Sequence, residues 1–360
     1  MHWFFKILIL LGVVGSLIIF VLFFRPRLLP ETLVANSEVY GIIWQNERWS
    51  GEIRVTGDVL ALPGVTVTVS PGTRILVENT GDKSNMDFIP IHQQFGVSDA
   101  PTPIAGIRHG EPFLDEANKI SLRFFKLIAT GTKEQPIIID SAATSKSPYD
   151  LNTIFIASGA LINVNLAHYR RLEVGSVTIN NDTFTDIGEC AVCISRASPT
   201  ILNSTFDRSL RDYIWVERGS PLIEGNLFLS IKGNGIVVDP ERLGAPKIIA
   251  NDFQLPGQSA VYFLSGGEKV GGIITNNLFA AGDITIPCDS KVKIYQNHIK
   301  SNLNFIKSGN CAGQYQIGLN YWEISDPKSV IKERVIGTEP KFKVLIDGVL
   351  LERPKPDGRN

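Results

Sequence analysis

Seven times between residues 179 and 322 an isoleucine stands five positions before a large apolar residue, with asparagine close ahead of that residue. The segments are Ile179–Phe184, Ile201–Phe206, Ile223–Phe228, Ile248–Phe253, Ile274–Phe279, Ile294–Ile299 and Ile317–Trp322, and their ends are spaced by 22, 22, 25, 26, 20 and 23 residues. Asparagine lies two positions before the end in five copies, as Asn226, Asn251, Asn277, Asn297 and Asn320, and three before it as Asn181 and Asn203. A period near 23 built of short β-rich runs, with turns and no amphipathic helix between them, predicts a parallel β-solenoid. Leucine-rich repeats have a similar length, but leucine is not the repeated residue here. Each coil would lie about 4.8 Å above the last, so equivalent residues stack. Isoleucine then forms one interior column, phenylalanine a second, and asparagine a structural ladder whose amides bond turn backbone and one another. Asn181 and Asn203 also open N-x-T sequons, but a ladder residue turned inward would not be glycosylated.

Composition supports a large core. Hydrophobic residues make up 44% of the 360 and charged residues 20%, with a net charge of −1, which excludes a disordered chain and a basic nucleic-acid binder. Trp3 to Phe24 carries one charge, Lys6, and the 18 residues Ile7–Phe24 would reach ~27 Å as a helix, close to a bilayer core of ~30 Å. No small-residue cleavage site follows, so residues 3–24 are read as an uncleaved single-pass membrane anchor rather than a signal peptide. Lys6 on one side is matched by Arg25 and Arg27 on the other, and the positive-inside rule gives no orientation.

The preceding chain carries strands of the same kind. Trp49-Ser-Gly51, Gly57-Asp58-Val59, the run Gly64–Thr73 with alternating Val65, Val67 and Val69, and Leu127–Ile137 with Gly131-Thr132 join the serial Ile…Asn-x-Phe units. Together these resemble right-handed parallel β-helix proteins of the pectate-lyase-like superfamily, over roughly residues 42–322. The resemblance implies an all-β fold, a single-stranded right-handed parallel β-helix, here with an N-terminal transmembrane helix. It names no single activity, because that superfamily includes lyases, hydrolases, esterases, epimerases and adhesins. The expected organisation is an anchor at 1–30, a linker at 31–41, the β-helix at 42–322 with an inserted loop at 80–118, and a C-terminal cap and loose tail at 323–360.

The cysteines are the most testable feature. Cys288 and Cys311 each lie six residues before a repeat isoleucine, so stacking would bring them within disulfide distance. The pairing is a disulfide in an oxidising compartment and two buried thiols in a reducing one. With the disulfide, the residues after Pro30 belong outside the cytoplasm, in the periplasm or at the cell surface. Cys190 and Cys193 have thioredoxin-like spacing without the helix start that motif requires, and read as a local disulfide. One C-x-x-C pair, two Met and five scattered His predict no metal site and no cofactor.

An enzyme of this class needs acids and bases gathered on an outer face. The densest group is Glu217 and Arg218, with Asp239, Glu241 and Arg242 one coil later. An acid beside a cation is the minimum for proton abstraction next to a carboxylate sugar. Asp239-Pro240 resembles the Asp-Pro-His of alginate epimerase-like β-helices, but Glu241 stands where the histidine would act. Trp215, Tyr213 and Tyr262 are candidate stacking platforms for sugar rings. His168-Tyr169-Arg170-Arg171 is a cationic patch that would meet acidic glycan or lipid headgroups. The balance favours a membrane-anchored surface binding or scaffold module for polysaccharide or cell-envelope glycan. A polysaccharide lyase, hydrolase or epimerase with a groove near residues 208–242 is the alternative.

Overall fold

The computed structural model describes residues 31–79, 81–84, 119–239, 244–264, 271–306, 311, 313–337 and 342–352. Nearly all regular structure in them is parallel β-strand, and the single helix among the described residues is Pro327–Arg334. Pairing follows the repeat. Ile179, Ile201, Ile223, Ile248, Ile274 and Ile294 lie directly opposite one another in successive strands. Phe184, Phe206, Phe228, Phe253, Phe279 and Ile299 do the same. A third row runs through Ile194, Val216, Val238 and Phe263. All of these side chains are buried in one continuous core. Ile317 belongs to a separate two-stranded sheet, Gly313–Ile317 with Phe342–Ile346, and is tied to the main sheet where Gly318 N–H donates to the Ile294 carbonyl at 3.0 Å.

The phenylalanine row shows why the register holds. Its five rings stack at centroid distances of 4.7–4.9 Å and within 12° of parallel, which is the strand spacing itself. Beside it runs the amide ladder. The backbone N–H groups of Asn226, Asn251, Asn277 and Asn297 each donate to Oδ1 of the next asparagine, ending on Asn320, at 2.9–3.0 Å. Their Nδ2 groups donate to the same acceptors and back to isoleucine carbonyls. The residue before each ladder position turns the corner in the left-handed region: Asn163, Asn181, Asn203, Gly225, Ala250, Asn276 and Gln296 all have φ between 48° and 69°. Asparagine tolerates that region better than most residues. At Gly225 a Cβ would also meet Asn203 Oδ1 at 2.6 Å.

Three expectations are corrected. First, the large sheet is a closed seven-stranded parallel barrel and not an open single-stranded β-helix or solenoid. From Glu47–Ala61 pairing passes through Val67–Val69, Leu122–Thr130, Leu151–Ile162, Val164–Asn180, Ile137–Ser141 and Arg74–Val77, and returns to Glu47–Ala61. The physical reason is strand length. Glu47–Ala61 and Val164–Asn180 run 15 and 17 residues without a break, so each pairs with several partners and links rows that short strands would leave separate. Second, no helix among the described residues is long and apolar enough to cross a membrane, which overturns the transmembrane helix as part of this fold; residues 3–24 lie outside the described residues, as does the inserted loop except for 81–84. Third, Asn181 and Asn203 are exposed corner residues, not inward ladder members. The inward positions two residues before Phe184 and Phe206 belong to Asp182 and Ser204, each 1% exposed.

Candidate functional site

The third row positions the residues read as a ligand-binding group. Strand Asp212–Val216 alternates, with Ile214 and Val216 in the core and Trp215 between them facing out and partly exposed. Trp215 lies opposite Cys193 on one side and Val237 on the other, and Val237 lies opposite Tyr262. One outward row therefore carries Cys193, Trp215, Val237 and Tyr262 in succession. Trp215 and Tyr262 are half-buried, while Val237 between them is almost fully covered.

The carboxylates stand one position further along. Glu217 N–H donates to the Ile194 carbonyl at 2.9 Å, and Asp239 N–H to the Val216 carbonyl at 2.8 Å, so Glu217 and Asp239 occupy equivalent places on neighbouring strands. Glu217 is 8% exposed, and its Oε2 accepts from Ser195 Oγ at 2.8 Å. Arg218 follows, its Nε buried and without a hydrogen bond among the described residues. Glu241 and Arg242 lie outside the described residues. The arrangement pairs a flat aromatic surface with carboxylate acceptors, a combination suited to a ligand with both ring faces and hydroxyls.

Tyr213 is not part of this face. It is fully buried against Phe206 and Phe228, ring centroids 5.6 and 6.0 Å away, and its hydroxyl donates to the carbonyls of Ser230 at 2.7 Å and Leu229 at 3.2 Å. Burial pushes its ionisation well above the ordinary phenol range.

The four cysteines form two disulfides, Cys288–Cys311 with Cα atoms 5.5 Å apart and Cys190–Cys193 at 5.9 Å. Cys193 places the second bond directly beside Trp215. No group of three or more His, Cys, Asp or Glu is placed to hold a metal ion among the described residues.

The segment 168–171 is not a free cationic patch. Arg170 pairs with Glu189 at 2.8 Å, Arg171 with Glu173 at 3.1 Å, and Tyr169 is buried. His168 belongs to a charged corner that spacing alone does not reveal. Its Nδ1 lies 2.7 Å from Asp140 Oδ1 and its Nε2 3.8 Å from Asp186 Oδ2. Arg208 donates to both oxygens of Asp186 at 2.9 Å and to Asp207 at 2.8 Å, and Lys146 pairs with Asp140. The Arg208 guanidinium holds the Asp186 carboxyl below the usual carboxylate range. The available signal was conformational: His168, Asp186 and Arg208 all sit at φ of 53–56° on successive corners.

No protein-family model, no curated protein and no solved structure matches the chain.

Proposed function

We propose that this protein is a glycan-binding or scaffold module that works outside the cytoplasm, and that it holds its ligand on the outward face of Trp215 and Tyr262. The observation that carries the reading is their shared row. Two aromatic side chains two strand spacings apart, about 10 Å, match the separation of neighbouring ring faces along an extended polysaccharide. Glu217 and Asp239 alongside supply acceptors for sugar hydroxyls. The two disulfides favour an oxidising compartment, where polysaccharide and cell-envelope glycan are found.

A second reading, a polysaccharide lyase, hydrolase or epimerase, is favoured by one observation, the placement of Glu217 and Asp239 on neighbouring strands. Paired carboxylates are the working groups of most glycoside hydrolysis. A glycan array probed with the full-length protein, followed by incubation of any bound glycan and product analysis, separates the two. Binding without shortened, unsaturated or epimerised products supports the module. Turnover that disappears in Glu217→Gln or Asp239→Asn, with binding kept, supports the enzyme. Binding that survives unchanged in both Trp215→Ala and Tyr262→Ala overturns the site.

A further inference from the structure

The asparagine ladder has an acid at its head. Asp182 sits two residues before Phe184, as Asn226 sits two before Phe228, and it is 1% exposed. Its Oδ1 does what the asparagine Oδ1 atoms do, accepting from backbone N–H of the preceding strand, here Val164, at 2.7 Å. The other atom of the side chain differs. In Asn226, Asn251, Asn277, Asn297 and Asn320 the Nδ2 reaches back to the carbonyls of Ile201, Ile223, Ile248, Ile274 and Ile294. By the same register the carbonyl that corresponds for Asp182 is that of Leu161, which pairs opposite Ile179. The atom in the Nδ2 place is Oδ2, which is buried and has no hydrogen-bond partner.

An ionised carboxylate cannot donate, so it would set a negative oxygen against a carbonyl oxygen in a site closed to water, an expensive arrangement. Ser204 offers no relief. Its Oγ accepts from Asp182 N–H at 3.1 Å and spends its own hydrogen on the Leu202 carbonyl at 2.7 Å. The ionisable group that faces Asp182 is Tyr169, whose hydroxyl donates to the Ala191 carbonyl at 3.1 Å and whose ionisation is pushed up by burial and by Asp182. The charged side chains on the adjoining strands are turned to the outer corner, where Arg208 bonds Asp186 and Asp207.

We infer that Asp182 is carried as the neutral carboxylic acid, its protonated Oδ2 standing in for an asparagine amide toward the Leu161 carbonyl, and that loss of this proton loosens the ladder at its head. The proton makes a donor of the one atom that lacks a partner. Burial agrees with this, pushing the carboxyl up to about 8. In the unfolded chain an aspartate titrates near ~3.9. Unfolding therefore releases a proton between those values, and the stabilisation from the neutral acid, complete below the unfolded value, declines as pH rises and is gone above about 8.

The test is thermal unfolding of the full-length protein and of Asp182→Asn from pH 5 to pH 9. The melting temperature of the variant minus that of the wild type should widen steadily up to about pH 8 and then stay level. Parallel profiles for the two proteins overturn the inference. Carboxyl 13C NMR of the wild-type protein decides independently should Asp182→Asn fail to fold. A buried aspartate that titrates several pH units above the ordinary range supports the assignment, and a full set of aspartates titrating in the ordinary range overturns it.

Discussion

Trp215 and Tyr262 stand in one outward row with Val237 between them, each paired directly to that valine. Their rings can therefore serve one ligand at two points. Removing either should weaken glycan binding by about 10-fold, the effect of losing one stacking contact of about 1.4 kcal/mol. Trp215→Phe should keep part of the affinity. Isothermal titration with any glycan found to bind checks both expectations.

The inward rows are far less forgiving. Phe228 lies in the middle of the stack, 4.9 Å from Phe206 and 4.7 Å from Phe253. Phe228→Ala removes two ring contacts and leaves a cavity inside a fully buried row, a change expected to cost 3–5 kcal/mol, about the range for buried aromatic truncation. Denaturant unfolding measures it, and Phe228→Leu should recover a large share.

Asn251 both gives and receives. Asn226 donates to its Oδ1 through both N–H and Nδ2, while its own Nδ2 serves Ile223 and Asn277. Asn251→Ala strands several buried groups at once and should cost about 3 kcal/mol or more. Asn251→Asp keeps the acceptor but needs a proton on its second oxygen. Its stability should fall as pH rises above the ordinary carboxylate range, where the wild-type residue at this position has no such dependence.

The Cys288–Cys311 bond joins residues 23 apart in sequence. Closing a loop of that length stabilises by about 3 kcal/mol through the unfolded chain. The double variant Cys288→Ser, Cys311→Ser should melt at a lower temperature than the oxidised protein. Reducing agent should lower the wild type toward it.

Arg208 grips both oxygens of Asp186 and depresses its carboxyl. A folded-state value below the unfolded one gives stability that is complete above the ordinary aspartate range and is lost as pH falls through the lowered value. Asp186→Asn should thus differ from wild type at pH 7 and converge with it in strong acid. Both groups are substantially solvated, so the difference at pH 7 should be under ~1 kcal/mol. Parallel melting curves across that range would contradict the role given to Arg208.

Much of the interior was legible in the sequence because it is periodic. Ile179, Ile201 and Ile223 announce their row by spacing alone, and Asn226 through Asn320 announce theirs. What the period specifies is which residues become neighbours. It does not say how the rows close, because that depends on whether a strand such as Glu47–Ala61 bends at its corners or breaks there. Position two before the phenylalanine, not the asparagine itself, defines the ladder, and so Asp182 and Ser204 were hidden behind Asn181 and Asn203. Tyr213 turned inward because the strand is irregular at its start, where Asp212 pairs with Cys190 and Ile214 with Val192. The corner of Asp140, His168, Asp186 and Arg208 was invisible because 28, 18 and 22 residues separate its members, a spacing outside the main period.

Ile248 meets Ile223 across 25 residues and Ile274 across 26, while Ile274 meets Ile294 across only 20, and all three contacts are in direct register. Surplus residues are therefore absorbed between the walls and not within them. Such a chain can gain or lose several residues at its margins with the packed interior untouched, and so its surface is free to diversify by insertion and deletion much faster than its centre can change by substitution.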